Sequence, residues 1–286
     1  MAIVLHKIGL ATPLGHDCDD FVNKIEHQTS VITSLEPLAL LACPQGSMVQ
    51  DLSIRSIIKK RKEIKLYTRA AKLALLAAYR CVGQISKLDT ALFVAVGREP
   101  PDEGSAEKCL IASQRDGIFD ESLLADKGRS LYPPLLPLRT LPNMILAHIS
   151  IQLEIMGENA CWAGGEETGI QAFQSGFWAI KEGRCTQALV GAADSFISLG
   201  AARDLHRTQI IPPSEAGVFF LLKEKETPEI GDIVVRPNQK EHEMRHYLLD
   251  CIGYAGAAQQ LLELVFSLHT QENISWGGLS FQKQLQ

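Results

Sequence analysis

Seven cysteines, at positions 18, 43, 81, 109, 161, 185 and 251, are the chain's candidate nucleophiles and metal ligands. Their number is odd and no two stand as CxxC, so they suggest neither a disulfide framework nor a zinc centre. Cys161 reads either as a reactive thiol or as a buried structural one, the common fate of a free cysteine. His242 and His246 have the i, i+4 spacing of two ligands on one helical face, but the polar stretch around them offers no third. Arg55, Lys59, Lys60, Arg61, Lys62 and Lys65 form a basic cluster. It suits either docking of an acidic protein by electrostatic steering or a plain solvated helix face. These residues imply no metal and no cofactor.

The 286 residues are 46% hydrophobic, enough to bury a sizeable core as one large domain or two ordinary ones. A net charge of −5 and a pI near 5.9 give no bulk reason to bind nucleic acid. Residues 1–5 are apolar, but His6 and Lys7 interrupt them and no small-residue cleavage pattern follows, so they read as a first strand rather than a signal peptide. No apolar run approaches the roughly 18 residues of a membrane span. The expectation is a cytoplasmic protein.

Short apolar segments alternate with longer helical patterns, the layout of an α/β protein whose sheet is covered by helices. Strands are expected at 2–5, 91–96, 187–191 and 218–222. Residues 67–81, rich in Ala and Leu, and residues 169–182, with Ile170, Phe173, Phe177 and Ile180 at helical spacing, are expected as buried or half-buried helices. Prolines 133, 134, 137 and 142 forbid a regular helix over 131–143 and predict a rigid, extended connection. A polar stretch, 223–242, separates this body from a last apolar helix near 255–268.

Five segments carry a more specific signal. IGLATPLG (8–15) runs a strand into a Gly and Pro turn, and LPLRTLPNM (136–144) is a proline run ending in Asn. MGENACWAGGEETGIQAF (156–173), AIKEGRCTQALVGAADS (179–195) and EAGVFFLLKE (215–224) follow. In this order they resemble the β-ketoacyl synthase family: its GxGxVTPLG opening, its proline run, its GPxxxxxTACSSGxxAI nucleophile segment, its AxxxIxxGxxDxALxGGxE stretch and its GEGAGxxVLE strand. The likeness covers most of residues 1–225. It implies a thiolase-like layered α/β/α/β/α fold, with residues 1–225 as the N-terminal half and 226–286 as a shortened C-terminal remnant of the same compact domain.

The resemblance also shows what is missing. Ketosynthases load an acyl chain on a cysteine thiolate at the start of a buried helix. Counting without gaps from Gly157 to Gly169 puts Glu166 at that position, and a carboxylate cannot form the thioester. No HGTGT segment exists in the chain; IGYAGAA (252–258) resembles the second histidine motif with Gly253 in the histidine's place, and the family's lysine falls near Leu248.

The family therefore implies a non-catalytic subunit, similar to the chain-length factor that pairs with an active ketosynthase in type II polyketide systems, and in its brevity similar to the aryl-polyene kind. The resemblance places Asn159, Ala160, Cys161 and Trp162 at the partner interface and Arg139, Thr140 and Leu141 beside the partner's acyl tunnel, with an acyl carrier protein reached through the complex. Two other functions remain open. One is a malonyl carrier protein decarboxylase in which Glu166 imitates an acylated cysteine, against the plainer reading of Glu166 as a helix-terminal carboxylate beside Glu167. The other is a homodimeric acyl-binding scaffold.

Overall fold

The computed structural model describes residues 1–82, 85, 87–98, 103–133, 136–208, 210–229, 231–237, 247–271, 273–276 and 279–284. Its centre is a mixed sheet of eight strands: β1 (Ala2–Ala11), β2 (Thr90–Val96), β3 (Asn159–Ala163), β4 (Gln187–Ser195), β5 (Glu215–Lys225), β6 (Ile233–Pro237), β7 (Asn273–Trp276) and β8 (Leu279–Lys283). The strand order is β7-β8-β6-β1-β5-β4-β2-β3. β2 lies parallel to both β3 and β4, and the remaining neighbours are antiparallel.

β2 and most of β4 and β5 are buried on both faces, and their sequences are accordingly continuous apolar runs rather than alternating ones. On one face lie α2 (Arg69–Cys81) and α4 (Asn143–Leu153), packed over Leu92, Val94, Leu189 and Phe219. On the other lie α1 (Cys18–Glu26), α5 (Glu167–Lys181) and α8 (Gln259–Thr270). Shorter helices, α3 (Glu103–Ala112), α6 (Leu199–His206) and α7 (Tyr247–Ile252), complete the set used below. Thr68 starts α2 by accepting from the Ala71 N–H at 3.2 Å, and the helix then buries nine residues, mostly Ala and Leu.

Each expected strand is present, and all four are longer. The apolar run at 2–5 ends at His6 and Lys7, but a register shift between Leu5 and Lys7 leaves both polar side chains exposed and lets β1 continue to Ala11. The C-terminal part, expected as a shortened remnant, builds no second sheet among the described residues. Its strands β6, β7 and β8 extend the first sheet beside β1, so the layers here are helix, sheet and helix. Phe173 of α5 holds that extension, with edge-on contacts to Phe220 (5.3 Å between ring centroids), Trp276 (5.7 Å) and Phe281 (5.6 Å).

The proline run is not wholly extended. Residues Leu136–Thr140 form a 3-10 turn, Pro142 precedes the first turn of α4, and Asn143 begins the helix. No helix among the described residues is long and apolar enough to cross a membrane.

Candidate functional site

β3 leaves the sheet through Gly164 and Gly165 and turns into α5, with Glu166 as its N-cap residue and Glu167 in its first turn. Thr168 fastens the turn by donating its hydroxyl to the Gly165 carbonyl at 2.6 Å. Glu166 is half-buried, has helical φ and ψ and makes no side-chain cap. Both carboxylates therefore act on the helix through charge, a contribution of about 0.3–1 kcal/mol each at a positive helix end.

The segment expected as a histidine remnant lies against this helix start. Gly169 permits the approach, since a Cβ there would lie 2.8 Å from the Ala257 carbonyl oxygen. Gly253 has φ +83°, and a Cβ would stand 2.2 Å from the Pro212 carbonyl oxygen. The same carbonyl accepts the Tyr254 N–H at 2.9 Å, and the Tyr254 carbonyl accepts the Ser214 N–H at 2.9 Å. This position is thus built for glycine, and a histidine side chain has neither the backbone conformation nor the room. Leu248 is buried in the core and offers no chemistry.

Beside Gly164 and Gly165 lies a cavity of about 220 Å³, lined also by Arg98, Asp194, Phe196 and Tyr254. Asp194 is 4% exposed and accepts backbone N–H groups from Ser195 (2.8 Å) and Ala257 (3.1 Å). Phe196 and Tyr254 form a tilted ring pair with centroids 5.4 Å apart. Burial, then the charges of Glu166, Asp194 and Glu167, push the Tyr254 phenol up to about 12, so it stays protonated. The sequence reading did not single out these four lining residues. Asp194 alone had a signal, standing where the family's ALxGGxE stretch ends in an acid.

The four residues assigned to a partner interface lie on β3, the outermost strand at one end of the sheet. Asn159 is exposed, and Ala160, Cys161 and Trp162 are half-buried. Trp162 leans on Phe93 at 6.0 Å, while burial pushes the Cys161 thiol up to about 11. A thiol so protonated is a poor nucleophile, which favours the structural reading of Cys161. The structure brings the proline run to this strand, with the Cys161 Sγ 3.6 Å from the Pro142 carbonyl oxygen. Arg139 and Thr140 are half-buried there, Thr140 donating to the Pro137 carbonyl at 2.8 Å, and Leu141 is 44% exposed.

Of the basic cluster, Lys59 is tied to Glu154 at 2.5 Å. Arg55, Lys60, Arg61, Lys62 and Lys65 are exposed and make no ion pair among the described residues; three of them lie in a 3-10 helix, Arg61–Leu66, and not in an α-helix. His242 and His246 lie outside the described residues. Among the described residues no group of three or more potential ligands could hold a metal ion.

The profile of the β-ketoacyl synthase N-terminal domain matches residues 2–219. The chain belongs to the β-ketoacyl synthase family. Solved structures agree in fold at low identity. The ishigamide ketosynthase/chain length factor is 15% identical with a TM-score of 0.63, over 98% of this chain and 98% of that one. A β-ketoacyl synthase from Burkholderia phymatum STM815 is 12% identical with a TM-score of 0.62, over 99% and 100%. A type II polyketide synthase acyl-carrier protein complex with its ketosynthase, AntDE:AntF, is 14% identical with a TM-score of 0.58, over 79% of this chain and 63% of that one. A search of curated proteins gave no match.

Proposed function

We propose that this chain is a non-catalytic, chain-length-factor-like subunit that pairs with an active ketosynthase and shapes its acyl tunnel during polyketide chain elongation, with aryl polyenes as the product class. The observation that carries this reading is Gly253: its left-handed backbone and its closeness to Pro212 leave no room for a side chain, and by motif position it stands where the family's histidine would be, as Glu166 stands where the cysteine would be. The helix start, the turn and the strands that hold them persist without groups able to form a thioester or stabilise an enolate.

β3, with Asn159, Ala160, Cys161 and Trp162, is the proposed pairing strand, because an outer strand with half-buried apolar side chains gains from a partner that covers it. Arg139, Thr140 and Leu141, held against β3 by Pro142, would line the tunnel wall. The cations of the basic cluster that make no ion pair among the described residues suit an acidic acyl carrier protein. Two of the similar structures are described as a ketosynthase/chain length factor and as a ketosynthase with its carrier protein, which supports the assignment.

Co-expression with a full-length ketosynthase from the same genome, followed by size-exclusion chromatography with light scattering, tests the pairing. A 1:1 complex that Trp162→Ala weakens is expected, since a Trp anchor commonly contributes at least about 2 kcal/mol to an interface. A homodimer of this chain that excludes the ketosynthase would overturn it.

A further inference from the structure

We propose that the stacked pair Tyr67 and His148 is a pH-sensitive latch: protonation of the buried His148 ring promotes release of residues 59–67, the segment that carries Lys60, Arg61, Lys62 and Lys65, from α4. The inference concerns how this segment is held, and it stands whether or not the segment docks a carrier protein.

The latch is built on α4 and closed by a segment with little structure of its own. Residues 59–67 form no strand or α-helix; they hold one 3-10 helix, Arg61–Leu66, none of whose residues is buried. Side chains of α4 supply the ties. The Gln152 Oε1 accepts the Lys59 N–H at 2.9 Å, and its Nε2 donates to Glu63 Oε2 at 3.1 Å. The Lys59 ammonium pairs with Glu154, the residue that ends α4. At the far end of the segment Tyr67 lies on His148, with ring centroids 3.8 Å apart and planes 23° from parallel. Tyr67 is 2% exposed and His148 7%.

The closed state suits only a neutral imidazole. His148 meets the Leu66 backbone, while its Nε2 is buried with no hydrogen-bond partner among the described residues. An unpaired lone pair there costs far less than a charged N–H in the same place. The surrounding elements bring few groups that could help. Glu63, on the segment, is the carboxylate whose charge favours the imidazolium, and Gln152 already engages it. Lys59 is held by Glu154, and Arg69, at the start of α2, by Glu215. Lys72 of α2 and Arg139 of the proline run are further cations, and β3 brings the Cys161 thiol, which burial keeps protonated. Burial outweighs Glu63 and lowers the His148 pKa below 6.5. Burial likewise raises the Tyr67 phenol, so both rings of the closed pair are neutral.

Relief comes from the segment and not from α4. That helix is packed into the core through Ile145, Ile149 and Leu153, whereas the segment rests on the ties above and on half-buried Ile64. Ile57 and Ile58, buried just before it, and the Thr68 cap of α2, just after it, bound the opening at 59–67. The opened form is a minority at either pH because it takes Tyr67 out of the core, and amide exchange detects such minorities.

The test is hydrogen–deuterium exchange of the full chain at about pH 7.5 and about pH 5.5, with rates corrected for the intrinsic pH dependence of exchange. Peptides over 59–67 are expected to exchange several-fold faster at the lower pH, with a ceiling of about tenfold set by a ring that opens to its ordinary pKa of 6.5, while peptides over β2, β4 and β5 keep their protection. His148→Phe keeps an aromatic ring on Tyr67 and removes the proton site, so it should abolish the acceleration; Tyr67→Phe should retain it. Equal acceleration over the whole chain, none over 59–67, or an acceleration that survives in His148→Phe overturns the proposal. Where His148→Phe does not fold, the Cε1–H resonance of His148 in the wild-type chain decides: a pKa below 6.5 is expected, and one at or above 6.5 overturns the latch. The readout involves neither a ketosynthase nor a carrier protein, so failure here and failure of the subunit reading are distinguishable.

Discussion

Arg69 grips Glu215 with both arms of its guanidinium, Nε to Oε2 and Nη2 to Oε1, each at 2.5 Å. Glu215 is fully buried and also accepts the Val49 N–H and the Ser195 hydroxyl, each at 2.8 Å. One carboxylate thus joins the start of α2, the end of β4 and the start of β5, the strand that follows the candidate site. Arg69→Ala leaves that charge buried without its counter-ion. The expected loss is about 3 kcal/mol in chemical denaturation, the low end of the range for a broken buried pair because the Arg69 side chain is 36% exposed. Arg69→Lys should lose less, since it keeps the charge and forfeits the two-armed geometry.

Placing a histidine at position 253, where the proposed reading puts a lost catalytic histidine, should harm the protein. Gly253→His places an L side chain at φ +83° and a Cβ 2.2 Å from the Pro212 carbonyl oxygen. The left-handed backbone alone costs about 1–2 kcal/mol, and the clash adds to it. Thermal unfolding should show a lower Tm than wild type. An unchanged Tm would mean that the turn is free to move and that the glycine is not required.

His148 gives a pH dependence whose sign follows from its surroundings. It is buried and stacked on Tyr67 with ring centroids 3.8 Å apart, and burial lowers its pKa below 6.5 despite the Leu66 backbone contact and the charge of Glu63. The unfolded chain therefore takes up the proton first as pH falls. The neutral ring's contribution is complete above pH 6.5 and is lost below it, down to the folded pKa. Denaturation midpoints should drop on acidification from that point, and His148→Phe should flatten the drop.

The field around the candidate site is readable in a phenol. Absorbance titration should show one tyrosine ionising near pH 12, later than an ordinary phenol, and Glu166→Gln should bring it down, because the Glu166 charge raises it second only to burial. A titration that does not respond to Glu166→Gln would separate Glu166 from the cavity.

The central sheet was legible because β2, β4 and β5 are buried on both faces and so appear as unbroken apolar runs. β6 was not, since Val234 and Val235 stand in a short stretch among charges and a proline and gain their burial from β1 and β8, both distant in sequence. β7 and β8 are short for the same reason and depend on Phe173 for their packing. α4 escaped notice because the prolines before it suggested rigid coil throughout, whereas Pro142 ends the run and opens the helix. At the candidate site, motif position singled out Glu166 and Gly253, but the contact that makes position 253 suit glycine is with Pro212, 41 positions earlier and invisible to any local pattern. The cavity joins residues 98, 164–165, 194–204 and 254–256, which only the folded chain brings together.

The most direct test of the non-catalytic subunit reading is an elongation assay on the reconstituted pair, with malonyl carrier protein as extender, comparing the ketosynthase alone, the pair, and the pair carrying Glu166→Ala. The account predicts that elongation requires this chain and proceeds undiminished with Glu166→Ala. Release of carbon dioxide from malonyl carrier protein by this chain alone, abolished by Glu166→Ala, would contradict it.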